Sequence, residues 1–256
     1  MAALHPFRRI ADDLREEILD GRLAPGARLP SENELAVRYA TTRTTVRKAI
    51  ALLRGEGYIA SAQGSGSYVR SRPALLMIST GSQWRSRRDG GISPLSAEFT
   101  EQGHEVEQRL LSVGEEPAPR DVAELLGLAA GDAVIVRRRR VLIGGSPMQL
   151  GSAYYPTAIF GGTAAAESRR IKGGVLGMFE DALAGRIARF VERLSIRMPT
   201  PVEASELQLP SGVPIARTVR VAYDARGRSV EVLVSIVPGD AYTFEYVIDV
   251  PPPAAD

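Results

Sequence analysis

The 256-residue chain contains no cysteine. Disulfides and thiolate metal sites are therefore excluded. Histidine is scarce as well, with only His5 and His104. A centre built from several imidazoles is not available, and neither metal, cofactor nor catalytic residues are expected. Lysine occurs only at 48 and 172, which leaves arginine to carry nearly all the positive charge. Apolar runs are short, and none approaches the ~20 residues of a membrane-spanning helix. The opening Met1-Ala-Ala-Leu-His-Pro lacks the apolar stretch of a secretory signal. The expectation is a cytoplasmic protein with no membrane partner. Hydrophobic residues at 44% and charged residues at 24% match an ordinary globular chain, long enough for two domains.

Charge is distributed unevenly. Residues 1–72 hold 12 Lys+Arg against 8 Asp+Glu, whereas the remainder holds 20 against 22. A basic head on a slightly acidic body suits one nucleic-acid-facing domain. Within the head, Phe7, Ile10, Ala11, Leu14, Ile18 and Leu19 form a helical stripe that Gly21 ends. Ser31 and Glu34 have the spacing of a capping box and open a short helix to about Tyr39. Thr42 can cap a third helix to about Arg54, whose buried stripe is Val46, Ala49, Ile50 and Leu53. Tyr58–Ala62 and Ser67–Arg70 read as two short strands around Gln63-Gly64-Ser65-Gly66. This order is that of a winged helix-turn-helix.

In such a module the second helix of the motif enters the major groove and its first turns reach base edges. Here those turns present Thr42, Arg43, Thr44, Thr45, Arg47 and Lys48. Arg43 and Arg47 are four apart and share a face opposite the buried stripe. Arginine is well shaped for a bidentate contact with guanine, and threonine hydroxyls suit phosphates. Gly64 at the wing tip permits close approach to the DNA backbone, with Gln63 beside it within reach of the minor groove.

Residues 7–70 resemble the winged helix-turn-helix of the GntR family of bacterial transcription regulators. The resemblance rests on Gly21-Arg-Leu-Ala-Pro-Gly-Ala-Arg-Leu-Pro-Ser-Glu, Thr42-Arg-Thr-Thr-Val-Arg, Gly57-Tyr-Ile and Gln63-Gly-Ser-Gly-Ser-Tyr-Val. It implies operator contacts from Arg43, Thr44, Thr45, Arg47, Gln63 and Gly64, and backbone contacts from Arg28 and Ser31. Asn33 stands where many members place an arginine.

Residues 73–92 are expected to form a linker, with a short strand near Leu75–Ile78, and residues 251–256 a disordered tail. Between them, residues 93–250 show helices at Pro94–Gly103, Pro119–Leu128, Val175–Ala184 and Pro201–Leu207. Strands are expected at Glu105–Val113, Ala133–Ile143, Pro147–Tyr155, Ile187–Met198, Ile215–Tyr223, Arg228–Val237 and Tyr242–Val250, the last closing the sheet. The pattern gives an α+β fold around an antiparallel sheet. It resembles the UTRA effector domain of the HutC subfamily, which shares its fold with chorismate lyase. Pro94-Leu-Ser-Ala-Glu-Phe-Thr, Ala123-Glu-Leu-Leu-Gly-Leu, Arg137–Arg140, Tyr154-Tyr-Pro and Ser229-Val-Glu before Gly239-Asp carry that resemblance.

The resemblance implies a small-molecule effector, a homodimer joined through this domain, and a near-palindromic double-stranded operator. Its pocket positions correspond here to Thr100, Arg139, Val141, Gly151, Val175, Glu231 and Val237. Members that sense phosphorylated sugars carry Arg, Glu, Ser and Tyr where this chain has Val141, Gly151, Val175 and Val237. A phosphate buried beside valines would be unpaired. The expected effector is therefore largely apolar with one polar or acidic end, not a sugar phosphate, and the expected action is repression. Two alternatives stand at this stage, a chorismate-lyase-like enzyme and a DNA-binding protein that answers to no ligand.

Overall fold

The structure, a computed structural model, describes residues 5–62, 66–70, 76–79 and 99–246. The N-terminal unit begins with α1 (Pro6–Leu19), α2 (Glu32–Arg38) and α3 (Arg43–Gly55). The expected caps are present. Ser31 Oγ accepts from Glu34 N at 3.2 Å, while the Glu34 carboxylate accepts from Ser31 N at 2.7 Å. Thr42 Oγ1 accepts from Thr45 N at 3.3 Å and so opens α3. Ile10, Ala11 and Leu14 of α1, Leu35 of α2, and Val46, Ala49, Ile50 and Leu53 of α3 share one core. The buried carboxylate of Glu17 on α1 pairs with Arg38 on α2, which fixes the first two helices to each other through a desolvated charge. A hairpin of β1 (Ile59–Ala62) and β2 (Gly66–Val69) completes the unit, with Ile59 opposite Val69.

The C-terminal unit is built on six antiparallel strands: β4 (Val106–Pro117), β5 (Ala133–Ile143), β6 (Ser146–Pro156), β7 (Ile187–Arg197), β8 (Ile215–Asp224) and β9 (Ser229–Pro238). Their order across the sheet is β4-β5-β6-β9-β8-β7. Side chains alternate along each strand, so each strand feeds two faces. On one face Val134, Val136, Val219, Val221 and Val232 bury against α4 (Arg120–Leu126). On the other, Ile135, Ala153, Tyr155 and Leu233 pack with Phe160 of α5 (Thr157–Phe160), a 3₁₀ turn at Ala164–Ala166 and α6 (Gly174–Ala182). A short α7 (Pro201–Glu206) links β7 to β8.

One expectation is corrected here. The last strand, β10 (Tyr242–Glu245), does not join the six-stranded sheet; it pairs in parallel with β3 (Leu76–Ser79) in a separate ribbon. The short strand expected near Leu75–Ile78 is present as β3. The rest of that linker and the C-terminal tail lie outside the described residues.

The two units meet main chain to main chain. A Cβ on Gly212, in the loop between α7 and β8, would sit 2.5 Å from both Gly55 O and Gly57 N, at the end of α3. Gly212 also has φ +83°, which an L side chain adopts only with strain. Beside it, Arg70 donates to Gly57 O at 3.3 Å and forms an ion pair with Asp240. Replacing Gly212 by Ala is expected to part the units without unfolding either. Small-angle scattering should show a larger radius of gyration at an unchanged far-ultraviolet circular dichroism spectrum. An unaltered scattering curve would refute a docking role for this contact.

Candidate DNA interface and effector pocket

Helix α3 buries Val46, Ala49, Ile50 and Leu53 and leaves Arg43, Thr44, Arg47 and Lys48 exposed, with Thr45 half-buried. All the predicted contact residues of this helix therefore lie on or beside one solvent face. Thr42 is exposed but already engaged as the cap, its hydroxyl 3.0 Å from that of Thr45. Ser31 is likewise a cap whose hydroxyl proton remains available to a phosphate. Arg28 is exposed and stands at the hairpin: it bridges to Tyr68, and neighbouring Leu29 N donates to Ser67 O at 2.8 Å. The wing residues Gln63 and Gly64 lie outside the described residues.

The second site is a cavity of about 120 Å³ beneath α6, lined by Gln108, Leu110, Arg137, Arg139, Tyr155, Arg170, Ile171, Gly173, Gly174 and Val175. The free volume is close to that of an engineered apolar cavity of ~150 Å³ that holds benzene. The four arginines of β5 divide as the pleat requires. Arg138 and Arg140 face away from the cavity and pair with Glu116, at 2.6 Å and 2.8 Å, and with Glu206. The Arg138 guanidinium in turn holds the Glu116 carboxyl below its ordinary range. Arg137 is buried and donates to three main-chain carbonyls: Ala165 O at 2.8 Å, Glu167 O at 2.8 Å and Arg169 O at 2.6 Å. Loss of water pushes its basicity down, yet a guanidinium stays charged in a protein. The buried Nε atoms of Arg139 and Arg140 both lack a hydrogen-bond partner, but Arg140 pairs through Nη2 with Glu206 whereas Arg139 faces the cavity.

Of the predicted effector residues, only Arg139 and Val175 line the cavity. Gly151 is buried under Arg139, and a Cβ there would lie 3.2 Å from Arg139 Nε and 3.3 Å from its Cγ. Glu231 lies one shell further back. It accepts from Tyr155 Oη at 2.7 Å and faces Arg220 at 3.5 Å. Burial, and then the Glu231 charge, raise the Tyr155 hydroxyl well above the usual phenol range, so Tyr155 is a neutral donor. The remaining three do not line this cavity. Thr100 is exposed, and Val141 and Val237 are buried with Phe99, Met148 and Tyr242 in a separate cluster.

The cavity is also more cationic than expected for a largely apolar ligand. Arg137, Arg139 and Arg170 all reach it, and no carboxylate does. Gly173 (φ +72°) and Gly174 (φ +77°) bring the bare main chain of the α6 start to its wall, where the helix dipole favours negative charge, although the Gly174 amide already donates to Ile171 O at 3.0 Å. The cavity residues not singled out from the sequence are Gln108, Leu110, Arg137, Tyr155, Arg170, Ile171 and the two glycines. The adjacent Arg169-Arg170 and Gly173-Gly174 pairs, just before a helix, were the available signal.

Comparison with known proteins decides the family. The model of the UTRA domain matches residues 101–243, and that of the bacterial regulatory proteins, gntR family, matches residues 6–69. The chain belongs to the GntR family, with a UTRA domain. It is 29% identical over 247 residues to the HTH-type transcriptional regulator Rv0792c of Mycobacterium tuberculosis, covering 94% of this chain and 84% of that protein. It is 25% identical over 243 residues to the HTH-type transcriptional repressor NagR of Bacillus subtilis, covering 95% and 94%. A crystal structure of a GntR-family transcriptional regulator aligns with a TM-score of 0.72 at 25% identity, over 97% of this chain and 99% of the other. PhnF from Mycobacterium smegmatis shares the fold, with a TM-score of 0.56 at 21% identity over 94% and 100%. These relatives are transcriptional regulators, not enzymes, and so is this protein. The lyase-like alternative is set aside.

The role of Arg137 can be tested on stability alone. Arg137→Met would remove the side-chain donor of the buried Ala165 O, at a cost of about 1–3 kcal/mol, whereas Glu167 O keeps Arg169 N at 2.8 Å and both of those residues are exposed. The urea midpoint is expected to fall by an amount equivalent to about 1–3 kcal/mol, with the slope unchanged. A midpoint within error of wild type would show that the loop at 164–170 does not depend on this residue.

Proposed function

We propose that this regulator is a repressor that binds a near-palindromic double-stranded operator as a homodimer and releases it when a small effector occupies the cavity under α6. The observation that supports the DNA half is the solvent face of α3, with Arg43 and Arg47 exposed beside the buried stripe. Thr44, Thr45 and Lys48 sit where they can hold phosphates, Thr42 and Ser31 fix the helix starts, and Arg28 stands beside the wing. Two heads spaced by one helical turn, or a multiple of it, would read the two half-sites. The direction of control follows NagR, which is described as a repressor.

For the effector, three guanidiniums, the start of α6 at Gly174 and the absence of a carboxylate among the described lining residues favour an anionic group. Leu110, Ile171 and Val175 supply an apolar wall for the remainder of the molecule. An effector that favours one arrangement of the dimer shifts its population and so the spacing of the heads.

Two measurements test this. Arg43→Ala should reduce affinity for an operator selected from random duplexes by at least about tenfold, the loss of one good base contact, while binding to unrelated duplex changes little. Retention of the same footprint would overturn the assignment of α3. Separately, a panel of carboxylates and monophosphates, screened by thermal shift, should yield binders whose shift disappears in Arg139→Ala. Binding that survives this change would move the effector elsewhere. A failure of every anion to bind or to alter operator affinity would favour a DNA-binding protein that answers to no ligand.

A further inference from the structure

Glu32, the first residue of α2, lies between the two arginines proposed to read the operator. Its Oε1 and Oε2 accept from Arg47 Nε at 3.0 Å and 2.8 Å, and its Oε2 accepts from Arg43 Nη2 at 3.3 Å. One carboxylate on one helix thus gathers both guanidiniums of the next. We propose that Glu32 is the positioning residue that aims Arg43 and Arg47, so that the sharpness of sequence reading depends on a side chain outside the recognition helix. The proposal rests on the assignment of α3 made above.

The geometry leaves the reading ends free. A guanidinium has five N–H donors, and a bidentate contact to guanine O6 and N7 uses two of them. Glu32 takes the Nε edge of Arg47, so both terminal nitrogens remain for a base. On Arg43 it takes one of the two Nη2 hydrogens, so the other can still form a two-donor edge with Nη1 or with Nε. Both arginines are more than half exposed and Glu32 about one-third. Ion pairs so exposed contribute little to stability. Their effect is conformational, because an unpaired exposed arginine keeps much of its rotamer freedom and would have to lose it on binding. Two like charges four residues apart on one face would also push each other aside. Glu32 offsets both effects before DNA arrives, and its negative charge opposes loose attachment to phosphates at unrelated sequences.

Glu32→Gln keeps the size of the side chain and removes the charge. With an operator selected by the wild-type protein, two titrations are needed: one on that operator and one on an equal-length duplex with the contacted guanines replaced. The discrimination ratio is expected to fall by about tenfold, with binding to the substituted duplex unchanged or tighter. A structural role alone would lower the melting temperature and leave the ratio intact. In the Arg43→Ala/Arg47→Ala background, Glu32→Gln should leave the residual ratio unchanged, since there is nothing left to aim. A ratio within twofold of wild type in Glu32→Gln, or an equal drop in the doubly substituted background, would overturn the proposal. If the wild type selects no sequence, or Arg43→Ala binds its operator normally, the assignment of α3 fails instead. The two failures are therefore distinguishable.

Discussion

A guanidinium cannot shed its charge inside a protein, and β5 carries four in succession. This constraint organises the effector domain. The pleat sends Arg138 and Arg140 to one side, where Glu116 and Glu206 meet them. On the other side no carboxylate lines the cavity, so Arg137 finds three carbonyls in the loop at 165–169 and draws that loop over the sheet. The loop becomes a wall, Arg170 and the start of α6 follow it, and Arg139 is left facing the enclosed space. A cavity and its charge thus have a common origin in the partner requirements of neighbouring residues on a strand.

The DNA-binding head obeys a different logic. Its helices are short, so caps and a shared core must hold them, and both were legible because they depend on neighbours within four residues. Ser31 with Glu34, Thr42 with Thr45, and the stripe on α3 all stand as the spacing required. The charge relation that crosses helices was not legible. Glu32 and Arg47 are fifteen residues apart, and nothing in either helix alone announces that they touch.

In the effector domain the strands and the β5–β6 hairpin followed from alternation and turn residues. The site did so only in part. Val141 shares a face with Arg139, but two residues along a strand is about 7 Å, enough to leave the cavity for the cluster around Phe99. Arg137 could be placed on a face by its alternation with Arg139, yet its partners are carbonyls 28 to 32 residues on, and main-chain acceptors have no sequence signature. For the same reason β10 was assigned to the wrong sheet: its partner β3 falls in a stretch that read as a linker.

The contact of Gly212 with Gly55 and Gly57 has a mechanical consequence. It grips α3 at the end remote from the bases. At about 1.5 Å per residue the helix is roughly 20 Å long, so a tilt of about 5° about that heel carries Arg43 sideways by roughly 1.7 Å. Hydrogen bonds to a base tolerate only a few tenths of an ångström before they weaken. The contact between the two units there is main chain against main chain, with no side chain in between to absorb a displacement of either.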